Sequence, residues 1–125
     1  MYLIELNEKQ LNTLLKALDI YSRLGCGQLD TLLDPYNSPL PIHDKECAKE
    51  SLKNLKNCSF KNLDYNASIG IFSEDAPEES KIAYDIIQVA RNVKAWSKNP
   101  EGGITVDFDK PWQASKEPMP KIKRG

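Results

Sequence analysis

Arg23, Gly25, Gly27 and Gln28 stand together at the end of a strongly patterned helical stretch, Ala17–Gln28 (ALDIYSRLGCGQ). Glycines at a helix end free the backbone to approach a ligand, and the arginine beside them supplies a fixed, forked positive charge. That combination suits a phosphate-bearing small molecule. It also suits a plain glycine-terminated helix with a solvated arginine, because glycine caps are common for structural reasons alone.

Lysine dominates the basic residues; only three arginines occur, at 23, 91 and 124. Two of them fall within patterned helices, and arginine is preferred over lysine for bidentate phosphate contacts. Asn92 follows Arg91 and carries both a donor and an acceptor, as reading an adenine edge requires; both residues also read as ordinary helix surface. Asp107 and Asp109 share the polar face of the alternating segment Ile104–Asp109 with Thr105. Such a pair can hold a metal, act as acid and base, or accept from ribose hydroxyls, and it equally suits a solvated face.

Signatures of catalysis are missing. The chain has no nucleophile elbow, phosphate-binding loop, H-E-x-x-H pair or glycine fingerprint joined to a βαβ unit. Cys26 and the single histidine, His43, are the one conceivable nucleophile pair, but a thiolate at a helix C-terminus meets the negative end of the dipole. One histidine and three unpaired cysteines (26, 47 and 58) give no zinc spacing, and their odd number points to reduced thiols in a cytosolic protein.

The elements that position these residues follow from periodicity. Tyr2–Leu6 reads as a short strand. Asn7 and Gln10 form a capping box for a helix that ends at Gly25 and carries Leu11, Leu14, Leu15, Leu18 and Tyr21 on one stripe. A short helical segment, Gln28–Leu33, stops at Asp34-Pro35. Pro35–His43 reads as a connector, Asp44 as the cap of a helix over Lys45–Lys56, and Ile69–Phe72 as a brief extended segment broken by Gly70. Asp75, Pro77 and Glu78 open the best helix, which runs to about Ser97 with Ile82, Ala83, Ile86, Ile87, Ala90, Val93 and Trp96 at helical spacing. Ile104, Val106 and Phe108 alternate as a strand. The expected order is β-α-α-α-β-α-β: an α+β domain with a small sheet of two or three short strands and three or four amphipathic helices.

At 125 residues and a net charge of −1, the chain is one domain over residues 1–110 with a proline-rich tail over 111–125, and it lacks the basic face that wraps duplex nucleic acid. The terminal Lys121, Lys123 and Arg124 read as a solvated cluster. No apolar run approaches the roughly 20 residues of a membrane span, and Met1–Leu6 is too short for a signal peptide.

Three stretches carry a family resemblance: LNEKQLNTLLKALDIYSRLGCGQ, NASIGIF, and AYDIIQVARNVKAW with NPEGGITVDFDKP. They resemble the first type of phage Thoeris anti-defence protein. The resemblance implies a non-enzymatic sponge that sequesters cyclic ADP-ribose isomers made by TIR-domain immune enzymes, in the cytoplasm of the infected bacterium. It implies oligomers built from dimers and a separate site for cyclic oligonucleotides. Carried onto this sequence, the ligand positions are Arg23, Gly25, Gly27, Gln28, Ser68, Gly70, Arg91, Asn92 and Asp107, with no catalytic residue, metal or cofactor.

A ligand of ~35 non-hydrogen atoms at about 0.3 kcal/mol per atom reaches a dissociation constant in the tens of nanomolar. That affinity requires near-complete enclosure, so a second subunit is expected to complete the pocket. The competing reading is an inhibitor of a host protein, docking through the apolar tail (Trp112, Met119, Ile122) or the Pro35–Pro41 loop. A small hydrolase or lyase acting on the same signals is the third.

Overall fold

The computed structural model describes residues 1–125, and it is all-helical. There are three α-helices, α1 (Glu8–Gly25), α2 (Lys45–Ser59) and α3 (Glu78–Lys98), with one 3₁₀ turn between α1 and α2 (Leu29–Leu33) and another after α3 (Val106–Phe108). The expected α+β sheet is absent. A strand exists only by exchanging backbone hydrogen bonds with a neighbour, and none of the three expected strands has one. Tyr2–Leu6 lies extended and exposed. At Ile69–Phe72 the amide of Ile69 donates to the Cys26 carbonyl, and Gly70 opens a turn closed by Ser73 N–H. In the third segment the amides of Phe108 and Asp109 bond back to Thr105 and Val106, three residues away. Phe108 there packs edge-on against Trp96, whose indole N–H donates to the Phe108 carbonyl.

Helix α1 starts as its sequence dictates: Asn7 and Gln10 exchange both bonds of the capping box. Its end is a Schellman motif, in which Gln28 N–H donates to the Arg23 carbonyl and Gly27 N–H to that of Leu24. Gly27 takes the left-handed conformation this requires, at φ +83°. Helix α2 begins at Asp44, whose carboxylate accepts from the Cys47 amide, and runs three residues past the expected Lys56. Asp75 does not cap α3; Pro77 holds the N-cap position without a side-chain bond, while the Asp75 amide donates to Ser73 Oγ.

The central packing is α1 against α3. Ala83 and Ala90 are buried on α3, and Gly25 brings α1 close: a β-carbon there would lie 2.0 Å from Ser80 Oγ. Ser22 Oγ donates to the Ser80 carbonyl across the same crossing. Asp19 and Ser22 are therefore buried, while Leu14 and Tyr21 of the expected inner stripe are exposed. Lys56, almost fully buried, donates to the carbonyls of Tyr65 and Ala67 and so holds that turn on α2.

The proline-rich tail docks along α3. Asp85, 2% exposed, accepts from the amides of Ala114 and Ser115 and from Ser115 Oγ, and Glu78 accepts from the Lys116 amide. No helix is long and apolar enough to cross a membrane.

Candidate ligand cleft

The 68–71 loop lies over the α1–α3 crossing, fixed by the 2.8 Å bond from Ile69 N–H to the Cys26 carbonyl. Between the two helices and this loop opens a half-enclosed cleft of about 240 Å³. Helix α1 lines it with Asp19, Ser22 and Arg23, and α3 lines it with Tyr84, Ile87, Gln88 and Arg91. In each helix these positions recur at spacings of three and four, which is one helical face.

Arg23 is already oriented. Its Nε donates to Asp19 Oδ2 at 3.0 Å and its Nη1 to Gln28 Oε1 at 2.7 Å, while Asn37 Nδ2 holds the same Asp19 oxygen. A guanidinium has five N–H donors, so Arg23 keeps three for a ligand. Its side chain is 47% exposed. Arg91 lines the opposite wall and forms no ion pair. With Asp19 offsetting one arginine, the cleft carries a single net positive charge, which attracts a phosphate-bearing ligand.

The floor is chemically quiet. Burial pushes the Cys26 thiol above its ordinary value, against the smaller lowering effects of the Lys81 charge and a hydrogen bond with Ser80. Tyr84 is held above its ordinary value by burial and then by the Asp85 charge, with Arg91 opposing. Both side chains are therefore neutral near pH 7. Phe72 meets Tyr84 edge-on with ring centres 5.7 Å apart and faces Trp112 at 6.0 Å, an aromatic rim continuous with the docked tail.

Of the residues singled out in the sequence, Arg23, Gln28, Ser68, Gly70 and Arg91 come together in this cleft. Four do not line it. Gly25 serves the helix crossing and Gly27 the Schellman turn. Asn92 donates both amide protons to the carbonyls of Asp107 and Asp109, at 3.0 and 2.9 Å, and so clamps that turn. Asp107 is exposed in that turn. Asp19, Tyr84 and Gln88 escaped the sequence reading because polar residues inside an amphipathic pattern look like solvent-facing ones. The signal was their register with Arg23 and Arg91: 19 and 23, then 84, 88 and 91.

No group of three or more His, Cys, Asp or Glu side chains is arranged to hold a metal. Compared with family models, curated proteins and solved structures, the chain matches none.

Proposed function

We propose that this protein is a sponge: it binds a cyclic ADP-ribose-type nucleotide in the α1–α3 cleft and withholds it without chemical change. The observation that carries this reading is the placement of Arg23 and Arg91, distant in sequence, on facing walls of one cleft beside the exposed backbone of Gly70. Glycine 70 has open space around it, so a ligand can approach its backbone closely. The neutral thiol and phenol leave no activated nucleophile among the lining residues. The resemblance to the Thoeris anti-defence family suggests the ligand class and, with it, action in the cytoplasm of an infected bacterium.

A homo-oligomer belongs to the same reading. A folded monomer of this mass exposes about 6,700 Å² by the usual scaling, whereas this chain exposes 9512 Å². Tyr2, Leu3, Ile4, Ile104 and Val106 account for conspicuous apolar parts of that surface. The same surface favours a second reading, in which the protein docks on a host protein and inhibits it.

The experiment is incubation with a cyclic ADP-ribose isomer, followed by heat denaturation and chromatography of the supernatant. A sponge depletes the free ligand and returns it intact after heating. Conversion to a product identifies an enzyme. No depletion, together with a stable complex with a host protein, establishes the second reading.

A further inference from the structure

A second pocket, of about 310 Å³, adjoins the cleft across a shared wall made by Gln28 and Ser68. Its other lining residues are Asp30, Tyr65, Asn66 and Ala67. Its charge is the reverse of the first: Asp30 lines it with the carboxamides of Gln28 and Asn66, and neither arginine nor lysine does. Lys56 fixes its wall by donating to the carbonyls of Tyr65 and Ala67, so the pocket has a braced shape in the free protein. The Tyr65 hydroxyl is shut from solvent and has no hydrogen-bond partner, the one buried side-chain polar atom in that condition.

Size joins the two. Sites for drug-sized ligands run to about 300–1,000 Å³, so a cleft of about 240 Å³ holds only part of a dinucleotide-sized molecule. A phosphate seated between Arg23 and Arg91 has Gln28 and Ser68 at its side, and past them lies a pocket lined by the Asp30 carboxylate and by no cationic side chain. Phosphate oxygens only accept, whereas ribose hydroxyls also donate, and a carboxylate only accepts. Asp30 is thus suited to the sugar and repels the phosphate. The role of ribose acceptor, which the sequence suggested for Asp107, is met here by Asp30.

We infer that the Asp30–Tyr65 pocket is the sugar half of a two-part site, taking the vicinal hydroxyls of a ribose whose phosphate lies between Arg23 and Arg91. Asp30 accepts from the diol, and Asn66 and Ser68 flank it. The inference rests on the phosphate cleft of the proposed function and goes beyond it by setting the orientation and a ribose requirement.

The test uses two probes on the full chain, inorganic pyrophosphate and ADP-ribose, titrated by calorimetry. Asp30→Asn keeps the shape and removes the charge; it is expected to weaken ADP-ribose about tenfold, the scale of one hydrogen bond to a charged group, and to leave pyrophosphate unchanged. Tyr65→Phe deletes a hydroxyl that is shut from solvent and unpartnered, so it is expected to leave both probes unchanged and the melting temperature of the free protein equal or higher. If the parent binds both probes and Asp30→Asn changes neither, or changes both alike, the sugar assignment is overturned and the phosphate cleft stands. If the parent binds neither probe, the cleft reading falls and the inference falls with it.

Discussion

The amide of Ile69 donates to the carbonyl of Cys26 at 2.8 Å, and this one bond fastens the 68–71 loop to the C-terminal end of α1. The cleft exists because of that closure, and the closure sits directly over a buried thiol. Folding holds the Cys26 thiol above its ordinary value of 9.0, so the unfolded chain releases this proton first as pH rises. The native state then binds more protons than the unfolded state, and stability falls with pH. The contribution is complete below about pH 9 and is lost as pH climbs through the native value. Denaturant unfolding of the parent and Cys26→Ala between pH 7 and 10.5 should show an extra alkaline loss in the parent. Equal slopes for the two proteins would remove Cys26 as the cause.

Gly27→Ala should destabilise the free protein by about 1–3 kcal/mol, from the left-handed conformation and from overpacking. The added methyl lies 2.7 Å from Leu63 Cδ2 at φ +83°. The melting temperature should fall, and any ligand effect should follow from that fall. Gly70→Ala is the contrast: with nothing within 4 Å of the new methyl, stability should hold and only ligand affinity should change.

Asp85→Ala should release the tail. The substitution strands the amides of Ala114 and Ser115 inside the protein, at a cost on the order of 2–4 kcal/mol. Limited proteolysis should then cut near residues 111–117, and Trp112 fluorescence should shift to the red. A variant as protease-resistant as the parent would show that the tail is held by its apolar contacts instead.

The capping box, the glycine-terminated α1, the Asp44 cap and the long α3 were all legible in the sequence, because each rests on bonds within a few residues. The sheet was misread for the opposite reason. Apolar residues in Tyr2–Leu6 and alternation in Ile104–Phe108 suit a strand, and neither can supply the neighbouring strand that makes a ladder. The cleft was half legible. Arginine chemistry pointed to Arg23 and Arg91, but only the α1–α3 crossing brings the two into one cleft. Asn92 carried the right atoms for base reading, and the 107–109 turn takes up its two amide protons.

Asn92→Ala should free that turn, weakening the packing of Phe108 on Trp96 and costing about 1–2 kcal/mol for two lost bonds to backbone carbonyls. Asp107→Asn should change neither stability nor ligand binding, since only its carbonyl is engaged. A marked loss of ligand affinity in Asp107→Asn, with unchanged stability, would restore Asp107 to the site.

The central claim is that Arg23 and Arg91 jointly hold a phosphate-bearing nucleotide. Calorimetric titration of a cyclic ADP-ribose isomer into the parent, Arg23→Lys and Arg91→Ala tests it most directly. Saturable binding to the parent is expected, with a loss of about 1–3 kcal/mol for Arg23→Lys, because an ammonium replaces the fork that Asp19 and Gln28 orient. Arg91→Ala should lose at least as much, with both variants folding as the parent does. Parent-like affinity in both variants would contradict the account.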